Sequence, residues 1–155
     1  MTIKGGTVGS LGAGNMGEAL IKGLLAAKHV PAQAIFATDV RPERLKELDR
    51  QYGIQVSSDN AELVKHADIV ILAVKPQIMD AVATEIAPAV TRRKLLISIA
   101  AGVATDKIRA RLPRDARLIR VMPNTPALVL EGATAIARAT NAHARRRLRF
   151  PASGK

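Results

Sequence analysis

The sequence has 155 residues, 48% hydrophobic and only 2% aromatic, which suits one domain with a core of aliphatic side chains. It contains no cysteine, which excludes disulfides and thiolate chemistry, and no apolar stretch of the roughly 18 residues that a membrane helix needs. The net charge is +11, but residues 138–155 hold five Arg, one Lys and no acid, so the rest carries only +5. With no signal sequence at the N-terminus, a cytoplasmic protein is expected.

Short aliphatic runs alternate with helical patterns along the chain. Strands are predicted at residues 7–11, 35–38, 54–56, 68–74, 95–100, 118–122 and 132–137. Helices are predicted at about 16–28, 42–52, 59–66, 79–86 and 105–112, with Gly53 as a C-terminal cap and Asp59 with Glu62 as a capping box. This alternation predicts a single Rossmann-like α/β domain with a doubly wound parallel sheet over residues 1–140. Residues 141–155 are expected to be a disordered basic tail or a segment of foreign origin.

Three glycines follow the first predicted strand at the spacing G-x-G-x-x-G. They are Gly12, Gly14 and Gly17, and the next predicted helix begins within the motif. Gly12 permits a tight turn, Gly14 lets the backbone approach a pyrophosphate, and Gly17 lets the helix pack closely on the strand. Free N–H groups at the start of the helix would hold phosphate oxygens. The motif therefore predicts a dinucleotide-binding site.

The residues after the second predicted strand bear on which dinucleotide is bound. Asp39 lies 22 residues after Gly17, where an acid commonly binds the adenosine ribose and favours NAD. Arg41 and Arg44 are close by and could hold a 2′-phosphate, which favours NADP. Asp39 could alternatively serve only to cap the following helix. NADP and NAD both stay open at this point.

Three further loops fall at the carboxyl ends of later predicted strands, where an open α/β sheet binds its ligand. They read AVKPQ (73–77), AAG (100–102) and PNTP (123–126). The small residues of the second loop would let a flat nicotinamide lie against the backbone. Lys75 is the cation among these loops, and it could also be a solvated surface side chain. The histidines are dispersed, so neither a metal site nor a catalytic triad is predicted.

These loops, in this order, resemble the N-terminal domain of pyrroline-5-carboxylate reductases over about residues 3–142. The matching stretches are GAGNMGEALIKGLL (12–25), DIVILAVKPQ (68–77), ISIAAGV (97–103) and RVMPNTPALVLEGATAIA (120–137). The resemblance implies reduction of pyrroline-5-carboxylate to L-proline in proline biosynthesis, usually with NADPH. It identifies no catalytic acid, and the substrate-side candidates are Lys75, Asn124 and Thr125.

The same resemblance implies a set of cofactor contacts. Asn60 matches a residue that binds the ribose on the adenosine side. The implied contacts, together with the two residues after the second strand, are Leu11, Gly12, Ala13, Gly14, Asn15, Met16, Gly17, Asp39, Arg41, Asn60, Ala73, Val74, Lys75, Pro76, Ile99, Ala100, Ala101 and Gly102.

The family continues into a helical second domain that forms the homo-oligomer and supplies much of the substrate pocket. This sequence departs from the family after about residue 142 with HARRRLRFPASGK, which suggests a shifted reading frame, an early stop, an expression remnant or a basic extension. We therefore expect the 155 residues to bind NADP(H) and to turn over poorly.

Other functions stay open. The chain could be a non-catalytic NAD(P)-binding module, or a deazaflavin-dependent NADP oxidoreductase-like domain, although the AVKPQ and MPNTP loops weigh against the latter. Nucleic-acid binding by the tail is disfavoured because its arginines are not interleaved with aromatic side chains.

Overall fold

The computed structural model describes residues 6–28, 30–123 and 134–138. One sheet of seven strands runs through these residues, in the spatial order β3-β2-β1-β4-β5-β6-β7. The strands are β1 (Val8–Leu11), β2 (Ile35–Thr38), β3 (Gln55–Ser57), β4 (Ile69–Leu72), β5 (Leu95–Ser98), β6 (Arg117–Pro123) and β7 (Thr134–Arg138). The first six strands have the 3-2-1-4-5-6 order of a Rossmann sheet, which confirms the predicted fold class.

Helices connect the parallel strands. They are α1 (Asn15–Ala26), α2 (Pro42–Tyr52), α3 (Asn60–His66), α4 (Met79–Ile86) and α5 (Thr105–Arg109). Two core clusters lie on opposite faces of the sheet, one involving α1 and α2 and the other α3, α4 and α5. Neighbouring residues of β4 alternate between them, with Val70 in one cluster and Ile71 in the other. The sheet is therefore covered on both sides, as a doubly wound fold requires.

The last strand differs from the others in direction. β7 pairs with β6 in antiparallel register, with Val121 opposite Ile136. Only ten residues separate Pro123 from Thr134. A parallel connection needs a crossover of a dozen or more residues, usually a helix, whereas a shorter connection suits antiparallel strands. The parallel sheet therefore has six strands and carries one antiparallel strand at its edge.

Local signals in the sequence explain where α2 and α3 begin and end. Pro42 occupies the first turn of α2, and Gly53 ends it in the left-handed region at φ 68°. Asp59 Oδ1 accepts a hydrogen bond from the Glu62 amide at 3.0 Å, as the predicted capping box requires. The Glu62 carboxylate contacts Lys65 and His66 instead of reaching back to the cap, so only half of the box forms.

Helix α5 is shorter than the predicted 105–112 and ends at Arg109. Pro113 follows shortly afterwards, and a proline disfavours helical backbone at the residue before it. The apolar stripe predicted for α4 is confirmed, because Met79, Val82, Ala83 and Ile86 are all buried. Within the described ranges, no helix is both long enough and apolar enough to cross a bilayer.

Candidate functional site

The glycine loop after β1 and the loops after β2, β4 and β5 lie at the carboxyl edge of the sheet. The Gly12 amide donates to the Thr38 carbonyl at 3.0 Å, and the Ala73 amide donates to the Leu11 carbonyl at 2.8 Å. One strand further along, the Ile99 amide donates to the Leu72 carbonyl at 3.2 Å. The loops after β1, β2, β4 and β5 thus share one edge. Between β1 and β4 the strand order reverses, and open α/β sheets bind ligands at such a point.

Two of the three motif glycines are required by close backbone contacts. Gly12 has φ 96°, and a Cβ there would lie 2.6 Å from the carbonyl oxygen of Ala73. A Cβ at Gly17 would lie 2.6 Å from the carbonyl oxygen of Gly12. That same oxygen accepts a hydrogen bond from Ser10 Oγ at 2.8 Å. These contacts hold the start of α1 against the end of β1, which is what the spacing of the glycines predicts.

The third glycine borders open space. Gly14 is the N-cap residue of α1 and has an ordinary φ of −73°. A Cβ at this position would meet no atom within 4 Å, and no side chain caps the helix. The N–H groups of the first turn of α1 therefore face a space that an anion can enter. Such a cradle fits a pyrophosphate group and would be filled by any side chain at residue 14.

Asp39 lies beside this loop and is fully engaged in hydrogen bonds. Its Oδ2 accepts from the Ala13 amide at 3.0 Å, and its Oδ1 accepts from the amide and Nε of Arg41, both at 2.9 Å. Burial raises the pKa of Asp39, but the hydrogen bonds from Arg41 and Ala13 outweigh it and hold the pKa below its usual range. Asp39 is thus an ionised anchor for the glycine loop and for Arg41.

Arg41 and Arg44 have different surroundings, although the sequence suggested the same role for both. The Arg41 side chain is 58% exposed and its ion pair with Asp39 leaves it at the open side of the site. The Arg44 side chain is only 17% exposed, and its Nε donates to the Ala13 carbonyl at 2.7 Å. Arg44 also pairs with Glu18 and Glu47. Of the two arginines, only Arg41 therefore has a largely exposed guanidinium at this edge.

Asn60 is held at the same edge by a buried hydroxyl. Thr38 is 1% exposed, and its Oγ1 donates to Asn60 Oδ1 at 2.6 Å. The Asn60 amide nitrogen donates to Glu85 Oε2 at 3.1 Å. These two contacts fix the orientation of the Asn60 side chain beside Thr38, the last residue of β2.

The loops after β4 and β5 present mainly backbone and small side chains. Ala73 and Val74 are half-buried, whereas Lys75 and Pro76 are exposed. Lys75 precedes a short 3-10 turn and has no ion pair to any described residue. In the β5 loop Ile99 is half-buried and Ala100 buried, and Ala101 and Gly102 are exposed. Gly102 has φ 73° and open space at its Cβ position.

The predicted site residues of the glycine loop differ in the exposure of their side chains. The side chains of Leu11 and Ala13 are fully buried, while Asn15 is exposed and Met16 half-buried at the start of α1. Asn124 and Thr125 lie outside the described residues, as does the basic segment 141–155. Among the residues that the structure describes, no three His, Cys, Asp or Glu side chains are grouped to hold a metal ion.

Sequence reasoning missed a cluster behind the glycine loop. Tyr52 donates a hydrogen bond from its hydroxyl to Glu18 Oε1 at 2.6 Å, and Glu18 Oε2 pairs with Arg44. Arg44 and Tyr52 are eight residues apart on α2, which puts them on one helix face. That spacing, with an acid in the first turn of α1, is the only sequence signal that points to the cluster.

The comparisons with known proteins agree with this geometry. Residues 7–102 match the family described as NADP oxidoreductase coenzyme F420-dependent. The chain is 45% identical over 135 residues to a pyrroline-5-carboxylate reductase of Methanosarcina acetivorans, covering 87% of this chain and 50% of that protein. The chain thus spans about half the length of the curated relatives it matches.

Solved structures give the same result. A pyrroline-5-carboxylate reductase from Coxiella burnetii has a TM-score of 0.85 and 32% identity, over 90% of this chain and 52% of that one. A Plasmodium falciparum pyrroline carboxylate reductase with NADP bound has a TM-score of 0.79 and 31% identity, over 90% of this chain and 50% of that one. The chain therefore belongs to the family of NADP oxidoreductases described as coenzyme F420-dependent, and its similarity to pyrroline-5-carboxylate reductases confirms the resemblance that its motifs predicted.

Proposed function

We propose that this chain is the NADP(H)-binding portion of a pyrroline-5-carboxylate reductase. The observation that carries the proposal is the uncapped start of α1 beneath the open space at Gly14. It lies where the strand order reverses, in a chain that resembles these reductases over most of its length. The substrate and the activity in this proposal come from the names of the relatives. The chain spans about half the length of those relatives.

The residues at the edge divide into three groups along a bound dinucleotide. The first-turn amides of α1, which include Asn15 and Met16, would hold the pyrophosphate. At the adenosine end, Asn60 would bind the ribose and the exposed guanidinium of Arg41 would meet a 2′-phosphate. At the other end, the exposed backbone of Ala101 and Gly102 leaves room for a flat ring.

The reaction needs little from the protein beyond position. Reduction of a cyclic imine adds a hydride to the ring carbon and a proton to the nitrogen, so the C=N bond becomes C–N and no protein nucleophile is involved. NADPH, when bound, supplies the hydride. The β4 and β5 loops would hold the two rings within reach of each other, which removes much of the entropic part of the barrier. Lys75, Asn124 and Thr125 are the candidates on the substrate side.

Calorimetric titration of the purified 155-residue chain with NADPH tests the cofactor part of this proposal. We expect saturable binding by the natural chain, and no binding by a Gly14→Val variant that keeps the same thermal unfolding curve. Lys46→Ala, on the exposed side of α2, is the matched control and should bind as the natural chain does. Equal binding by the valine variant would contradict the placement of the pyrophosphate.

The activity part needs a separate measurement, namely oxidation of NADPH in the presence of pyrroline-5-carboxylate. Uniform binding of a cofactor does not lower the chemical barrier. We therefore expect the 155 residues to bind NADPH but to reduce the imine slowly. Binding without any turnover would support the alternative of a non-catalytic NAD(P)-binding module, and efficient turnover would contradict our expectation.

A second candidate function rests on the family description, which names coenzyme F420. A deazaflavin-dependent oxidoreductase would exchange a hydride between NADP(H) and the deazaflavin. Absorbance changes of the deazaflavin with NADPH and this chain distinguish the two candidates. Reduction of the deazaflavin at a rate above that of imine reduction would favour the second.

A further inference from the structure

The backbone N–H and C=O groups of Ala13 are each held by a charged side chain. Its amide donates to Asp39 Oδ2 at 3.0 Å, and its carbonyl accepts from Arg44 Nε at 2.7 Å. Asp39 lies in the loop that follows β2, and Arg44 lies in α2 directly after that loop. The Ala13 methyl group is itself fully buried in the core on the α1 side of the sheet. The middle of the glycine loop therefore has no freedom to rotate without breaking a charged hydrogen bond.

Arg44 is in turn fixed by acidic groups on two helices. Its guanidinium pairs with Glu18 in the first turn of α1 and with Glu47 on α2, the latter at 3.1 Å. Glu18 is held from its other oxygen by the Tyr52 hydroxyl at 2.6 Å. The planar guanidinium thus donates to three partners, namely the Ala13 carbonyl, Glu18 and Glu47. A lysine ammonium cannot reproduce this geometry. It links α2, the glycine loop and the start of α1.

The charges around Arg44 argue against a direct contact between its side chain and a phosphate. Two carboxylates neutralise the one cation of Arg44, and the side chain is 17% exposed. A phosphate group that approached this guanidinium would meet the negative charge of both carboxylates. Arg44 accordingly serves no phosphate directly, in contrast to the exposed Arg41.

We propose that Arg44 is a positioning residue that sets the glycine loop and the first turn of α1 in the shape that receives a pyrophosphate. The proposal rests on the proposed binding of NADP(H). A loop fixed in its binding shape before the ligand arrives loses less conformational entropy on binding. Removal of Arg44 then weakens the binding of ligands that contain a pyrophosphate. It leaves the binding of ligands that contain only the adenosine and its 2′-phosphate unchanged.

Two ligand fragments separate these effects, and calorimetry or NMR titration measures both. ADP carries the pyrophosphate without a 2′-phosphate, and adenosine 2′-monophosphate carries the reverse. We expect Arg44→Met to lower the affinity for ADP and for NADPH about tenfold, as loss of a charged hydrogen bond implies. The affinity for adenosine 2′-monophosphate should change less than twofold. Arg41→Ala should weaken the binding of adenosine 2′-monophosphate and of NADPH, and should change the affinity for ADP less than twofold. Arg50→Met, an exposed arginine of the same helix, is the matched control and should change none of the three.

Further variants separate positioning from folding. Arg44→Lys keeps the charge but not the fork of donors, so we expect it to recover only part of the ADP affinity. Tyr52→Phe removes one hydrogen bond and leaves the ion pair between Glu18 and Arg44. This variant should remain folded even if Arg44→Met does not. We expect its affinity for ADP to fall by a few fold. Amide hydrogen exchange in the ligand-free protein should quicken at Ala13 and the first turn of α1 in both variants.

The results that overturn the proposal are distinct from failure of the proposed function. If folded Arg44→Met binds ADP as the natural chain does, or loses both fragments equally, Arg44 does not position the loop. If the natural chain binds neither fragment nor NADPH, the proposed function fails. In that case hydrogen exchange decides the proposal, and unchanged exchange at Ala13 in Arg44→Met overturns it.

Discussion

The carbonyl oxygen of Gly12 lies where a side chain at Gly17 would begin, 2.6 Å from the position of its Cβ. This contact brings the first turn of α1 directly onto the turn that ends β1. Atoms at that separation clash, and a backbone oxygen cannot move aside as the end of a flexible side chain can. Gly17 is thus a structural requirement of the loop, whereas Gly14, which has the same motif status, has open space around it.

Alanine at Gly17 should therefore lower stability, whereas alanine at Gly14 should lower cofactor affinity. Gly17→Ala should lower the free energy of unfolding by about 1–3 kcal/mol, as overpacking does in a close-packed site. Gly14→Ala should change it by less than about 1 kcal/mol, because its φ is ordinary and its Cβ meets nothing. The same variant should weaken NADPH at least about tenfold, since the methyl group enters the pyrophosphate cradle. Urea denaturation and calorimetry check both; a strongly destabilised Gly14→Ala variant would contradict the open cradle.

Arg41 should decide the preference between the two nicotinamide cofactors. Arg41→Ala removes an exposed guanidinium that pairs with Asp39, and we expect NADPH affinity to fall about tenfold or more with little change for NADH. Fluorescence titration with both cofactors gives the ratio. An equal loss for both would show that Arg41 acts only through Asp39 and the glycine loop. Arg114→Ala, far along the chain after α5, serves as the control.

The cluster of Glu18, Arg44 and Tyr52 should make stability depend on pH at both ends of the range. Hydrogen bonds from Tyr52 and then Arg44 lower the pKa of Glu18 below its ordinary value of 4.5. Stability from Glu18 is therefore fully present above about pH 4.5 and is lost as the pH falls through the lowered pKa. Burial, then the Glu18 hydrogen bond, raises the pKa of Tyr52 to about 12, so its contribution is complete below pH 10.0 and is lost as the pH rises towards 12.

Urea midpoints across the pH range test this dependence. Glu18→Gln should be less stable than the natural chain near neutral pH, and the difference should shrink in acid. Tyr52→Phe should lose about 1 kcal/mol near neutral pH, and the natural chain should lose this advantage in strong alkali. Glu43→Gln, an exposed acid of α2, is the control. Parallel curves for Glu18→Gln and the natural chain would show that Glu18 is not coupled to Arg44 and Tyr52.

Thr38 should influence the adenosine end of the site through Asn60. Thr38→Val keeps the shape of a buried side chain and removes the 2.6 Å hydrogen bond to Asn60 Oδ1. We expect a stability loss of about 1 kcal/mol and a few-fold loss of affinity for adenosine 2′-monophosphate, because Asn60 is no longer oriented. Thr91→Val, at an exposed position before β5, is the comparison. Unchanged affinity in Thr38→Val would indicate that Asn60 does not contact the ribose.

Much of the fold was predictable from local patterns. The 35–38 run forms β2 at the predicted bounds, and Gly53 ends α2 in the left-handed conformation that its position suggests. The stripe from Met79 to Ile86 is buried as its helical spacing indicates. These features depend on neighbours within a few residues, which is the range that a sequence pattern records. The direction of β7 was not predicted, because it depends on which strand it meets.

The candidate site divides in the same way. Gly12, Gly14 and Gly17 could be predicted because the motif is contiguous and each role is a backbone property. The different roles of Arg41 and Arg44 could not, since both follow the same strand within three residues of each other. Only the packing of α2 against α1 puts Glu18 beside Arg44 and leaves Arg41 exposed.

The sequence by itself determined that this chain folds as a Rossmann domain with a glycine loop at the start of its first helix, because apolar periodicity and glycine spacing act over short distances. The tertiary structure alone decided which charged side chains are free to meet a ligand and which fix the loop. Contacts such as Asp39 with Ala13, or Arg44 with Glu18, join residues 26 positions apart. Their energies depend on burial and distance, which exist only once the strands and helices have packed together.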